Sequence, residues 1–235
     1  MQHPASINLD FFQSVESHLD SERLQVYRQD GQDDATTLAR YLLNMALCES
    51  LYSPLQVAEV SLRNSIHQSL AAKVKHHAWY DSLLLPKWQQ EQVLKAKQKL
   101  RDQRKPETSG RIVAELTFGF WLCFFTAPHI SSGLAYYLIK SCFPHAPKSE
   151  RNIHKLSASW QKVRILRNRV FHHERILHWR DLDKQHTSIL HLIGWMNPEL
   201  KQLTQALNRF AKIQSEGLTP WRHLLCNNWP NNASS

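Results

Sequence analysis

The chain has 235 residues, 42% hydrophobic and 21% charged, which suits one or two globular domains and excludes a disordered chain. Only six are Gly, against about sixteen at the average of about 7%; sheet turns consume Gly, so the composition leans towards helices. Lys plus Arg is 29 against 20 for Asp plus Glu, and the net charge of +9 points to a polyanionic partner, nucleic acid before a surface that is merely solubilising.

In chain order the apolar spacing predicts helices nearly throughout, because no segment alternates like a strand over more than four residues. Leu9–Leu19 reads as a short helix. Ser21 is expected to N-cap residues 22–28, and Asp30-Gly31 closes that helix. Asp34 is expected to cap a run to Leu51, and Ser53-Pro54 to start a new helix reaching about Lys75. Trp79, Tyr80 and Asp81 fall in a loop that Pro86 ends. Residues 87–104 form a polar helix, either a solvated face or a basic surface for phosphates. Further helices are expected over 108–126, 131–140, 148–173, 181–195 and 198–213. The fold class is all-α, a helical bundle in one domain of residues 1–216. Residues 217–235, rich in Asn and Ser at their end, are expected to form a flexible tail, and truncation after about Leu225 is expected to leave the fold and any activity unchanged.

Cys48, Cys123, Cys142 and Cys226 stand far apart with no Cys-x-x-Cys pair, which fits a reducing cytoplasm. The opening run MQHPASINLDFF lacks a basic region followed by an apolar core, so no secretory signal is expected. The most apolar stretch, residues 112–130, contains Glu115, Gly119, Pro128 and His129, and reads as buried rather than membrane-spanning. There is no Gly-rich phosphate loop, His-Glu-x-x-His signature or Gly-x-Ser-x-Gly elbow, and the fourteen His are scattered. The reading therefore expects no metal and no cofactor.

The informative segment is the helix expected over 148–173. At 100° per residue Leu156, Trp160, Val163, Leu166 and Val170 form one buried stripe, with Arg167 inside it at about 40° from Val163. A guanidinium cannot be neutralised by losing its proton. It therefore needs a carboxylate, with Glu59 and Glu115 as candidates, or a site that receives an anion. On an unbroken helix His172 lies about 140° and His173 about 120° from Arg167, whereas Asn168 and His172 face together. Either the helix ends near Phe171, or a site is composed across a dimer. A second cluster is Glu59, Arg63 and Asn64, in which Glu59 and Arg63 stand at the spacing of a helical ion pair.

The run Leu166-Arg167-Asn168-Arg169-Val170-Phe171-His172-His173-Glu174 resembles the Arg-Asn-x-x-x-His signature of the HEPN superfamily, in the form typical of Abi-like (abortive infection) proteins of bacteria. Residues 54–67, Trp79-Tyr80-Asp81 and the Phe118-Gly119-Phe120-Trp121 block are similar to that family's other blocks and stand in the same order, so the resemblance covers about residues 21–176. It implies a HEPN-like bundle that forms a homodimer and acts as a metal-independent endoribonuclease in toxin–antitoxin or phage-defence systems. Its partners would be RNA and an RNA or protein antitoxin. Arg167 and His172 would be the catalytic pair, with Asn168 following the Arg and His173 able to replace His172. Glu59, Arg63, Asn64 and Arg169 would support the site or bind substrate. The alternative is a non-catalytic RNA-binding or regulatory module on the same bundle.

Overall fold

The computed structural model describes residues 6–230. The first five residues and residues 231–235, which hold the start of the MQHPASINLDFF run and the end of the expected tail, lie outside the described residues. Among the described residues the structure is helical, and the paired extended backbone is one isolated antiparallel bridge, Ile7 with Pro230. The helices are α1 Leu9–Leu19, α2 Ser21–Gln25, α3 Asp34–Val74, α4 Trp79–Ser82, α5 Lys87–Asp102, α6 Ser109–Glu115 and α7 Phe118–Leu122. After them come α8 Ala127–Ser131, α9 Leu134–Cys142, α10 Ile153–Phe171, α11 Leu182–Met196, α12 Pro198–Ala206, α13 Phe210–Glu216 and α14 Thr219–Asn228.

The chain divides into two compact units. The first takes the chain up to Tyr52, Asn168–Asp183 and the residues from Asn208 on; the second takes Ser53–Arg167 and Lys184–Leu207. No composition break marks the division, because α3, α10 and α11 each run through it.

In the first unit Phe12, Leu24, Leu38, Ala39 and Leu225 form a core, with Tyr41, Leu218 and Trp221 packed around it. The described part of the expected flexible tail, residues 217–230, is helical over Thr219–Asn228 and contributes Leu225 to this core. Leu225 of α14 is 3% exposed, Trp229 stacks on Phe11 at 4.4 Å, and the Trp229 carbonyl accepts the Asn8 N–H at 3.0 Å. Arg222 donates to Thr36 Oγ1 at 2.6 Å and to Asp33 Oδ2 at 3.0 Å. Burial alone would raise the Asp33 carboxyl. The Thr36 hydrogen bonds and the Arg222 charge outweigh it and hold the group below the usual carboxylate range. The helix signal in residues 219–228 was masked by Asn and Ser beyond it; Pro220 in its first turn was the visible cue.

The second unit is built on aromatic side chains. Trp79, Phe120, Trp121 and Phe124 meet largely edge to face, with centroids 5.0–6.4 Å apart, and Phe118 and Phe143 lie 6.2 Å from Trp160. Leu55, Ala58, Leu62, Ile66 and Leu70 of α3 are fully buried at helical spacing. Each such pair of rings adds about 0.5–1.5 kcal/mol beyond its area. In α5 Gln89, Val93, Ala96 and Leu100 are buried, so this polar helix has a core face as well as a solvated one. Gln89 accepts from His129 Nε2 at 2.6 Å and donates to the Phe120 carbonyl at 3.3 Å.

Several boundaries differ from expectation for local reasons. Pro54 does not start a helix; α3 continues through it. A Pro inside a helix costs about 3 kcal/mol, and full burial of a Leu returns about 1.5–3. Leu51 and Leu55, both fully buried, therefore hold the helix on either side. Asp33 rather than Asp34 caps α3, its Oδ1 accepting the Thr36 N–H at 2.8 Å. Asp20 rather than Ser21 caps α2, accepting from Glu22 at 3.1 Å. Trp79–Ser82 is a short helix, not loop.

The helix expected over 108–126 is broken at Leu116-Thr117, both extended. The Thr117 hydroxyl accepts the Phe120 N–H at 3.3 Å and restarts the chain as α7. Asn152 caps α10 through the N–H groups of His154 and Lys155, so α10 begins at Ile153 rather than Lys148. Asn208 accepts from Phe210 at 3.0 Å and divides the run expected over 198–213. The helix expected from Ser131 starts at Leu134, because Gly133 at φ +76° occupies a left-handed turn that other residues resist.

Among the described residues no helix is long and apolar enough to cross a membrane. Among the described residues no disulfide joins the four cysteines.

Candidate nucleic-acid interface

α10 stops at Phe171, the first of the two alternatives the spacing offered. His172 still donates its N–H to the Asn168 carbonyl at 2.9 Å. The His173 N–H then turns back to Val170 at 3.2 Å, and the Glu174 N–H to Arg169 at 2.9 Å. This pair of bonds is the Schellman closure, and His173 sits in its left-handed position at φ +57°, where Gly is usual. The closure leaves the side chains of His172 and His173 exposed at the end of the helix.

Beyond the turn the chain is pinned by buried Asn44. Its Oδ1 accepts the N–H groups of Ile176 at 2.8 Å and Leu177 at 3.1 Å, and its Nδ2 donates to the Glu174 carbonyl at 3.3 Å. Arg23, on α2, donates to the His173 carbonyl at 2.7 Å.

These anchors shape a groove of about 380 Å³, wholly within the first unit, lined by Arg23, Arg169, Arg175, His172, His173 and His178. Glu174 also lines it, paired to Arg169 at 2.7 Å, so three guanidiniums face one carboxylate. Arg169 lies over the Trp179 ring at 5.8 Å and Arg175 over Tyr27 at 5.6 Å, which stiffens both. The Nε atoms of Arg40 and Arg175 are buried without a hydrogen-bond partner. Burial and the neighbouring Arg175 charge lower the Arg40 pKa. Burial, then Arg175 and Arg169, push the His178 imidazole below its ordinary value. Positive charge crowded in this way is relieved by an anion.

Arg167 belongs to the second unit, whereas Asn168, Arg169, His172 and His173 belong to the first. The stripe around Arg167 is buried as its spacing predicts: Leu156, Trp160, Val163, Leu166 and Val170 are at most 4% exposed. Arg167 itself is half-buried. Its Nε donates to Glu59 Oε2 at 3.0 Å, with side chains 29% and 23% exposed. Of the two candidate carboxylates Glu59 is therefore the partner, and Glu115 pairs with Lys99 at 2.6 Å. The Glu59–Arg63 pair expected at helical spacing does not form, because Glu59 is engaged by Arg167; Arg63 turns its Nε to Asn64 at 3.3 Å.

Trp79 Nε1 donates to His67 Nδ1 at 2.9 Å, so two of the sequence blocks meet at the aromatic core. Burial, then His77 and Arg63, keep the His67 pKa low, as that acceptor role requires. Among the described residues no group of three or more His, Cys, Asp or Glu is placed to hold a metal ion.

Sequence reasoning missed Arg23, Arg175 and His178. The last two were visible in the basic run after His173; Arg23 reaches the groove from 150 residues away and left no local signal. No family model matches the chain, and neither curated proteins nor solved structures include a match.

Proposed function

We propose that the protein is a metal-independent endoribonuclease built on a HEPN-like bundle, serving as a toxin or phage-defence effector. The groove of Arg23, Arg169, Arg175, His172, His173 and His178 carries the reading, and the +9 charge and the Arg-Asn-x-x-x-His-His run support it. RNA supplies its own nucleophile. A neutral imidazole takes the proton of the 2′-hydroxyl, and the 2′-oxygen attacks the adjacent phosphorus. The P–O5′ bond breaks as an imidazolium protonates the leaving oxygen. Guanidiniums hold the phosphate oxygens as their charge grows. The products are a 2′,3′-cyclic phosphate and a 5′-hydroxyl. His172 is the proton-transfer residue of this reading, with His173 its neighbour. Arg167 enters through the resemblance, with Glu59 orienting it through Nε. Homodimerisation and control by an antitoxin belong to the same proposal.

The Glu59–Arg167 ion pair favours a second reading, in which Arg167 is structural and the groove binds RNA without cutting it. Incubation of the purified full chain with total cellular RNA in EDTA separates the two. Cleavage lost in His172→Ala and Arg167→Ala supports the first; RNA bound but intact supports the second.

A further inference from the structure

A second cavity, of about 420 Å³, opens beside the basic groove and shares Arg23 and His173 with it. It too lies within the first unit. Its character is opposite to the groove's. Tyr41, Met45, Tyr52, Val170 and Phe171 give it apolar walls, and Tyr52 stacks on Phe171 with centroids 4.8 Å apart. Tyr52 is 49% and Met45 51% exposed, so apolar surface stands open to a ligand. Cys48 in the wall remains a neutral thiol, since burial pushes it up to about 11. Asn44 is already committed to the backbone of Glu174, Ile176 and Leu177. Glu49 at the rim pairs with exposed Arg209, a weak contact that an N–H donor displaces readily.

An apolar aromatic pocket joined through a shared Arg to a cationic groove matches a ligand that is flat and aromatic at one end and anionic at the other. We infer that this cavity receives a nucleobase whose phosphate lies in the groove by Arg23. The base stacks against Tyr52 and Met45, and Glu49 accepts one of its N–H groups. As the source of that nucleotide unit the inference takes a single-stranded RNA, with a base turned out of the strand, and in this it rests on the groove's proposed role. A paired base cannot enter, so the pocket selects single strands.

The test titrates the full chain, in EDTA at low salt, with a labelled 10-nucleotide RNA whose 2′-hydroxyls are methylated to prevent cleavage. The same strand in a duplex is titrated in parallel, as are GMP and ribose 5-phosphate, which share a phosphate and differ by the base. The expected result is at least about fivefold tighter binding of strand than duplex and of GMP than ribose 5-phosphate, the lower bound for stacking one base. Tyr52→Ala and Met45→Gln, both at exposed positions, are expected to remove these preferences without changing duplex binding. A GMP preference without a strand preference supports the pocket and assigns it to a free nucleotide. Equal binding of GMP and ribose 5-phosphate, with the strand preference intact in both variants, overturns the inference and leaves the groove's role standing. Failure to bind either RNA overturns that role, and the GMP arm then judges the pocket alone.

Discussion

Replacing Glu59 by Gln removes the charge that faces Arg167 and keeps the side chain's shape. The pair sits between two regimes. Exposed ion pairs contribute about 0–1 kcal/mol, and breaking a buried one costs about 3–5. At 29% and 23% side-chain exposure, with a hydrogen bond of 3.0 Å from Arg167 Nε, an intermediate loss of about 1–2 kcal/mol follows. For a chain of this size about 2–4 °C of melting temperature accompanies each kcal/mol, so Glu59→Gln is expected to melt about 2–8 °C lower. Arg167→Met fills the same space without charge and removes the need for a carboxylate. The double variant is therefore expected to recover part of the loss. Circular dichroism melts of wild type, both single variants and the double variant complete a thermodynamic cycle. Additivity within about 0.3–0.5 kcal/mol refutes the claim that Glu59 is the carboxylate Arg167 requires.

Leu225→Ala is expected to cost about 2–3 kcal/mol, read as a melt lowered by about 4–12 °C, because the side chain lies in the core of the first unit; an unchanged melt contradicts that placement of α14. The imidazoles of His67, His129 and His178 are all lowered below 6.5, chiefly by burial. The unfolded chain thus binds more protons, so stability is full above that value and falls as pH drops below it; melts equally high at pH 7.5 and pH 5.5 refute this. If Arg23, Arg169 and Arg175 each meet one phosphate, log K against log salt for single-stranded RNA has a slope of about −2, and Arg175→Ala reduces it to about −1.4; an unchanged slope removes Arg175 from the interface.

Much of this was legible in the sequence, unevenly. The stripe of α10 is buried as its 3.6-residue period requires, and the presence of Arg167 in it demanded a carboxylate that Glu59 supplies. Periodicity located most helices because burial of one face dominates their stability. It failed where short-range chemistry competes. A threonine hydroxyl divides the apolar run at Thr117, and an asparagine divides the C-terminal run at Asn208. Propensity erred in the other direction at Pro54, where tertiary burial holds α3 together. The groove was half legible. The histidines stand side by side in the chain, whereas Arg23 reaches them only through α2, and the left-handed turn at His173 carries no Gly to announce it.

Under the proposed function the groove's histidines cut RNA through its own 2′-hydroxyl. The most direct measurement is single-turnover cleavage, in EDTA, of an end-labelled single-stranded RNA by the wild-type chain and by His172→Ala, alongside the same strand with 2′-deoxy sugars. The account predicts fragments ending in 2′,3′-cyclic phosphate, a rate about 10²–10⁴-fold lower in His172→Ala, and an intact deoxy strand. Equal cleavage by wild type and variant, cutting of the deoxy strand, or no cleavage by the wild type contradicts it.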